Sequence, residues 1–136
     1  MIEITNQPID VQKIISAASR HEAGAVNTFI GTVRNNTLGN KVIKLEYEAY
    51  EPMAISEIEK IINQAIDQWK LTGFSVSHRV GVLLPGEIAV VVAVSTPHRK
   101  NSFAACQFII DTLKQTVPIW KREFFENGNE WVSAHP

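Results

Sequence analysis

The chain has 136 residues, of which 45% are hydrophobic and 20% are charged, and it contains 7 Gly and 6 Pro. This composition excludes disordered and collagen-like chains, and we expect residues 1–136 to form a single globular domain. Thirteen Lys and Arg residues against fourteen Asp and Glu residues give a formal net charge of -1. Proteins that bind nucleic acids or anionic membranes through bulk charge carry a clear excess of positive charge, which this chain lacks. We therefore expect no nucleic-acid partner.

Three features predict a cytoplasmic location without a membrane segment. The single cysteine, Cys106, cannot form an intramolecular disulfide. Polar residues interrupt the first ten positions, which therefore lack the apolar core of a secretion signal. The longest apolar stretch, residues 88–94, is far too short to span a bilayer as a helix and is typical of a buried strand.

The first half of the chain predicts an initial strand, one helix and two further strands. Asp10 is a suitable N-cap for a helix with an apolar face, which should end before Gly24. Residues 24–34 alternate as a strand does, and both faces are expected to be mostly buried. After a turn-rich patch, Ile43, Leu45, Tyr47 and Ala49 alternate with polar residues up to Tyr50. This pattern predicts a half-solvated strand paired with the previous one.

The second half predicts two longer helices and four strands. Pro52 suits the first turn of a helix that carries apolar residues as far as Trp69. Strands are expected over residues 74–80 and 87–95, the second of them central in its sheet. A third helix, capped by Asn101 or Ser102, should end at Val117 because Pro118 follows. A terminal hairpin is predicted from residues 119–125 and 130–133.

The order of these elements favours an α+β fold. Short turns join several neighbouring strands, and such turns require antiparallel pairing. We therefore predict three main helices on a mainly antiparallel sheet.

A basic tripeptide, His98-Arg99-Lys100, lies between the apolar strand and the third helix. Cations beside the free N–H groups at the start of a helix suit a phosphate or a carboxylate. A solvated basic loop explains the same three residues equally well.

Two lysines and one arginine are further candidates. Lys114 falls in the last helical turn, where a cation stabilises the helix dipole and needs no other explanation. Lys121 lies beside Trp120, and a lysine next to apolar bulk can lose proton affinity and take part in proton transfer; an ion pair with Glu123 is the alternative. Arg34 ends a strand next to a loop rich in Gly and Asn. It is interpreted either as a ligand contact or as an exposed charge at the end of the strand.

The remaining chemistry-bearing residues give weaker signals. Cys106 lies on an apolar helical face and is interpreted as a core residue, and His78 is either structural or part of a site. The sequence contains no glycine-rich phosphate loop, zinc-ligand spacing or nucleophile elbow. Between Arg99 and Arg122 there are five cationic residues and only one acid, Asp111. This segregation predicts a cationic pocket for an anionic small molecule, a carboxylate-bearing peptide terminus, or both.

Five ordered segments, together with Lys114 and Trp131, resemble the catalytic large subunit of molybdopterin synthase over nearly the whole chain. They are residues 24–34, Leu45-Glu46-Tyr47-Glu48-Ala49-Tyr50, His78-Arg79-Val80-Gly81, Pro97-His98-Arg99 and Pro118-Ile119-Trp120-Lys121-Arg122-Glu123. The resemblance implies an α/β-hammerhead fold and a sulfurtransferase activity in molybdenum cofactor biosynthesis. Two departures from the family pattern are Ala104, where an acidic residue is frequent, and the few residues after Trp131.

The family's partners and substrate follow from the same resemblance. It implies a homodimer within a heterotetramer, with a small ubiquitin-like sulfur-carrier subunit whose C-terminal Gly-Gly is activated as a thiocarboxylate. Sulfur passes from this tail to cyclic pyranopterin monophosphate, also called precursor Z, and forms the dithiolene of molybdopterin. No metal or organic cofactor is implied at this step.

Site residues carry over by position. Lys114 and Lys121 match the family's catalytic lysines. The predicted substrate-binding residues are Thr32, Val33, Arg34, His98, Arg99, Lys114, Lys121, Arg122 and Glu123, with Arg34 a candidate to reach the neighbouring protomer's site.

The implied chemistry agrees with the cationic pocket. The thiocarboxylate sulfur attacks a carbon of the pterin side chain, and the resulting acyl link is then hydrolysed. Both steps develop negative charge on oxygen, which ammonium and guanidinium groups stabilise. A non-catalytic module that binds an anionic metabolite or an acidic peptide end is the alternative, although simple anion capture would not need both lysines in addition to the other cations.

Overall fold

The computed structural model describes residues 1–136 as three helices and nine strands. The helices are α1 (Val11–Ala18), α2 (Glu51–Trp69) and α3 (Arg99–Thr116). The strands are β1 (Ile2–Thr5), β2 (Ala25–Thr32), β3 (Asn36–Thr37), β4 (Asn40–Ala49), β5 (Gly73–Arg79), β6 (Gly81–Leu83), β7 (Ile88–Thr96), β8 (Ile119–Phe125) and β9 (Glu130–Ser133). None of the helices is long and apolar enough to cross a membrane.

The four-stranded sheet has the order β1-β5-β7-β2, in which only the β1–β5 pair is parallel. Strand β7 is central, as predicted, and its side chains are buried on both faces. Val90, Val92 and Val94 belong to the main core with α2 and α3. Val91 and Ala93 face α1 in a smaller cluster. This double burial explains the almost continuous apolar sequence of β7.

The five-stranded sheet has the order β3-β4-β8-β9, and β6 pairs with β4 along the edge opposite β8. Strands β4 and β8 are antiparallel, with Tyr47 opposite Lys121 and Leu45 opposite Glu123. Side chains at directly opposed positions share one face of a sheet. The inner face of this sheet therefore brings Tyr47, Lys121 and Glu123 together.

The structure corrects two predictions about strands. The strand predicted over residues 24–34 pairs with β7, not with the strand at residues 42–50, which pairs with β3, β6 and β8. Strand β2 is also an edge strand without a fully buried residue, and Val26 and Ile30 are each 44% exposed. The reason is that α1, only eight residues long, lies mainly over β5 and β7.

A bulge corrects the predicted alternation in β4. The register between β4 and β8 shifts between Val42 and Lys44. The extra residue puts Val42 in the core and leaves Ile43 48% exposed. A β-bulge of this kind reverses the inward and outward faces before it.

The predicted start of α3 is also wrong, because the helix begins at Arg99 and His98 is its N-cap. The Ser102 hydroxyl donates to the carbonyl oxygen of Arg99 at 2.6 Å, a bond made inside the first turn. Asn101 instead donates its side-chain amide to the Trp69 carbonyl oxygen. The predicted end of the helix at Val117 is confirmed.

The α+β class, with three main helices and mainly antiparallel sheets, is confirmed as well.

Cys106 is a core residue, as predicted. Its side chain is buried, its Sγ lies 3.9 Å from the Val92 carbonyl oxygen, and burial raises its pKa to about 11. A thiol that stays protonated at neutral pH is a poor nucleophile.

We therefore expect Cys106→Ser to retain most of the sulfur-transfer activity that the family resemblance implies, with some loss of stability from a hydroxyl in an apolar site. Thermal unfolding and single-turnover assays on one preparation would measure both. A well-folded but inactive Cys106→Ser protein would contradict this prediction and point to covalent cysteine chemistry.

Candidate active site

A small pocket of about 110 Å³ lies where α3 ends against the inner face of the five-stranded sheet. We call it the catalytic pocket because Lys114 and Lys121, the two lysines predicted to be catalytic, both line it. The end of β2, both strands of the β3–β4 hairpin, the last turn of α3 and β8 all contribute to it. Its lining residues are Thr32, Val33, Arg34, Thr37, Leu45, Tyr47, Lys114, Lys121 and Glu123.

Glu123 is the only carboxylate in this lining. It is 6% exposed, and its Oε2 accepts a hydrogen bond from the Thr37 hydroxyl at 2.5 Å. Its Oε1 lies 3.5 Å from Lys121 Nζ. The predicted alternative for Lys121, an ion pair with Glu123, is therefore present. A buried carboxylate with one oxygen held by a hydroxyl presents its other oxygen to the lysine in a defined position.

Lys114 has no such partner. It makes no ion pair, and its pKa is lowered first by burial of the ammonium group, then by the charges of Lys121 and Arg34. The side chain as a whole remains open to solvent at the pocket. An ammonium group among other cations gives up its proton more easily than an ordinary lysine does.

His78 lies behind the pocket and does not line it. It is 1% exposed, its Nδ1 lies at a hydrogen-bonding distance of 2.8 Å from the Arg79 carbonyl oxygen, and its ring meets that of Tyr47 edge-on at 4.9 Å. Burial, as the largest cause, and the charge of Lys114 together lower the pKa of His78 to about 4, against the raising effect of the Arg79 carbonyl. Of the two roles left open for His78, the structure supports the structural one.

A larger, open cleft of about 620 Å³ adjoins the catalytic pocket. We call it the outer cleft. It shares Thr32, Val33 and Arg34 with the catalytic pocket. The rest of its wall is Asn35, Asn36, Pro85 and Gly86. Arg34 therefore lies at the boundary between the two spaces, in the same protomer as Lys114.

Three predicted site residues lie elsewhere in the chain. His98 and Arg99 are exposed at the start of α3, and Lys114 is in its last turn, so the 1.5 Å rise per residue separates Arg99 from Lys114 by about 22 Å. Arg122 points to the other face of β8, where its Nε is 3.9 Å from Glu130. One protomer thus assembles only part of the predicted set in its catalytic pocket.

Sequence reasoning did not single out Thr37, Leu45 and Tyr47 as site residues. The alternation in β4 placed Leu45 and Tyr47 on the buried face, but it carried no sign that this face also forms a pocket. Thr37 lay in the turn-rich patch, where no periodic pattern exists. No group of three or more His, Cys, Asp or Glu residues is arranged to hold a metal ion.

Comparison with known proteins identifies the family. The family model described as "MoaE protein" matches residues 4–116. The chain belongs to the MoaE family. The molybdopterin synthase catalytic subunit of Bacillus subtilis (strain 168) is 48% identical over 130 residues, which cover 96% of this chain and 83% of that protein.

Solved structures agree with this membership. The crystal structure of molybdopterin synthase from Staphylococcus aureus matches with a TM-score of 0.92 and 39% identity, over 98% of this chain and 96% of that one. A Helicobacter pylori structure, described as a complex of subunits 1 and 2 of molybdopterin-converting factor, matches at TM-score 0.78 and 24% identity, over 99% and 93% of the two chains. The second match shows the fold alone.

The family membership confirms three predictions made from the sequence. These are the family resemblance itself, the hammerhead type of α+β fold, and the enzyme class, a sulfurtransferase of molybdenum cofactor biosynthesis.

The buried His78 predicts an acid-sensitive fold. The unfolded chain takes up a proton near pH 6.5, whereas the folded protein resists protonation down to a pKa of about 4. Stability is therefore complete above pH 6.5 and falls as the pH decreases toward 4, by about 3 kcal/mol from this residue. Urea unfolding at several pH values would measure the loss. A His78→Gln variant should lack this component, and parallel pH profiles for parent and variant would contradict the assignment.

The unpaired Lys114 predicts a catalytic defect without a folding defect. Lys114→Ala should slow sulfur transfer by about a hundred- to a thousandfold, as loss of a group that stabilises developing charge does. Its stability should change by no more than about 1 kcal/mol, the value of a helix-terminal charge. Lys114→Arg should restore little activity, because a guanidinium cannot release its proton near neutral pH.

Lys60→Ala is the matched control, since Lys60 is exposed on α2 and pairs only with Glu57. Single-turnover rates and melting temperatures would be compared for all three variants. A Lys114→Ala protein that works at the parental rate would rule out a catalytic role for this lysine.

Proposed function

We propose that this chain transfers sulfur from the C-terminal thiocarboxylate of a small ubiquitin-like sulfur-carrier subunit to cyclic pyranopterin monophosphate. The observation that carries the proposal is the meeting of Lys114, Lys121 and Arg34 in one small pocket beside a larger cleft. Both steps of the reaction develop negative charge on oxygen, and the pocket concentrates positive charge.

The two spaces suit two different reactants. Pockets for small molecules commonly measure about 300–1,000 Å³, a range that includes the outer cleft but not the catalytic pocket. We assign the pterin to the outer cleft and the terminal acyl group of the carrier tail to the catalytic pocket. Arg34, at the boundary, is placed to contact the phosphate or a pterin oxygen.

The surroundings of the two lysines divide their roles. Glu123 holds Lys121 as a fixed ammonium ion, which stabilises negative charge. Lys114 has no carboxylate partner and is repelled by its cationic neighbours, so it is the group that gives and takes a proton. Thr32 and Val33 line both spaces and flank the bound reactants.

The small subunit is the proposed sulfur donor. The description of the Helicobacter pylori structure as a complex of two subunits supports such a partner for this chain. We propose that the assembly works in the cytoplasm, as the sequence predicts.

A homodimer would bring His98 and Arg99 to the substrate. These residues lie about 22 Å from Lys114 along α3, so they cannot reach the catalytic pocket of their own chain. Phe103 lies one turn after Arg99 and is 61% exposed, which provides an apolar contact surface beside the cations. We propose that His98 and Arg99 of a second copy bind the substrate's phosphate, and that Arg34 acts in its own protomer.

Reconstitution tests the proposed function. The purified chain is mixed with precursor Z and a thiocarboxylated small subunit, and molybdopterin formation is measured. We expect product only when all three components are present. A small subunit with an ordinary C-terminal carboxylate is the control. Binding of precursor Z without turnover in the complete mixture would instead favour a non-catalytic binding module.

Mixed dimers test which protomer supplies each residue. Arg99→Ala chains mixed with Lys114→Ala chains should recover activity, because one of the two sites in each mixed dimer has both residues. Arg34→Ala mixed with Lys114→Ala should not recover, since both sites then lack one residue. Mass spectrometry of the intact dimers would confirm subunit exchange. Recovery in the second mixture but not in the first would reverse the assignment.

A further inference from the structure

Tyr47 is a polar residue of the catalytic pocket for which the proposed mechanism has no role. It is 7% exposed and lines the pocket together with both lysines. Its hydroxyl makes no hydrogen bond within the chain. Two other polar atoms without a partner, Ser75 Oγ and Arg79 Nε, are fully buried, whereas the Tyr47 hydroxyl oxygen is not. The hydroxyl is therefore open to the pocket and free to donate to a ligand.

The neighbours of Tyr47 fix its position. The His78 ring packs edge-on against its ring, at 4.9 Å and an interplanar angle of 85°. Lys121 lies directly opposite on β8, and Gly81, opposite on β6, has no side chain to fill the space. The ring is thus held from behind while its hydroxyl end remains unobstructed, which is the arrangement of a preorganised donor.

The electrostatics of the pocket keep Tyr47 protonated. Burial, and then the charge of Glu123, raise the pKa of Tyr47 to about 12. At neutral pH the phenol is a neutral O–H donor. It keeps this proton when Lys114 gains or loses one, so its hydrogen bond does not depend on the proton transfer.

The acyl-hydrolysis step needs such a donor. Water adds to the thioester carbon that joins the carrier tail to the pterin sulfur, and the carbonyl π electrons move to the oxygen. The tetrahedral intermediate then collapses and its C–S bond breaks. The products are the tail carboxylate, the pterin thiol and one proton, so atoms and charge balance. During this step the carbonyl oxygen carries the negative charge.

We propose that Tyr47 is a further catalytic residue, whose hydroxyl donates a hydrogen bond to this carbonyl oxygen in the catalytic pocket. The inference rests on the proposed function, because it requires the acyl group to occupy that pocket. It gives the oxygen a neutral donor in addition to the Lys121 ammonium group. Tyr47 also links the buried His78 to the chemistry, since the histidine ring supports the tyrosine ring.

Tyr47→Phe tests the inference, because it removes only the hydroxyl and keeps the ring against His78. In the complex with thiocarboxylated small subunit and precursor Z, acyl hydrolysis should slow by about 10- to 150-fold, the effect of losing one hydrogen bond to a charged group. Intact-mass analysis should show the covalent adduct of pterin and small subunit accumulating. The melting temperature and the affinity for precursor Z should stay at parental values.

Tyr50→Phe is the matched control, since Tyr50 is the only other tyrosine in the chain and is 57% exposed at the start of α2. It should behave like the parent. Parental hydrolysis by Tyr47→Phe, or a loss confined to precursor Z affinity, would overturn the role of Tyr47. If the parental complex forms molybdopterin in the same assay, such a result rejects this inference alone. If the parental complex forms none, the proposed function itself fails.

Discussion

Repulsion among three cations in one small pocket is the constraint on which the rest of the site depends. Lys114, Lys121 and Arg34 share the catalytic pocket with a single carboxylate, Glu123. Because Glu123 pairs with Lys121, the repulsion falls mainly on Lys114, whose pKa is lowered first by burial and then by the charges of Lys121 and Arg34. A net charge of -1 for the whole chain conceals this local excess of positive charge. An anionic reactant relieves the repulsion, so binding and the development of negative charge are favoured by the same groups.

The fold maintains this arrangement by joining distant parts of the chain. The β4–β8 pairing places Tyr47 beside Lys121, although 74 positions separate them in sequence, the difference between 121 and 47. The Thr37 hydroxyl ties the β3–β4 hairpin to Glu123 across 86 positions. The buried rings at the pocket are neutral, since His78, behind it, and Tyr47, in its lining, both stay uncharged near pH 7. A neutral support leaves the electrostatics of the pocket to the four charged side chains that line it.

Periodicity and capping predicted most of the fold, and they failed where tertiary packing decides the outcome. The central position of β7 follows from its apolar run, and the end of α3 follows from Pro118. The strand at residues 42–50 pairs with β6 and β8, which lie far away in the sequence, and no local pattern indicates such long-range partners. The start of α3 was misplaced because the Ser102 hydroxyl bonds within the helix. In the site, charge segregation predicted a cationic pocket, and Lys114 and Lys121 of that segment do line one, whereas Arg99 and Arg122 do not. It carried no information on the part of the pocket wall that Tyr47 and Thr37 form.

The length of α3 has a consequence that residue spacing in the sequence does not convey. Arg99 and Lys114 are both cationic and both match the family's pattern, so a linear reading groups them in one site. As ends of one helix they are about 22 Å apart, and a rigid helix cannot fold back to join them. If both contact one substrate molecule, two chains must contribute. The helix geometry and the proposed residue roles together then require the proposed homodimer. Arg34 needs no second copy, because it lies at the boundary of the pocket and the cleft in the same chain as Lys114.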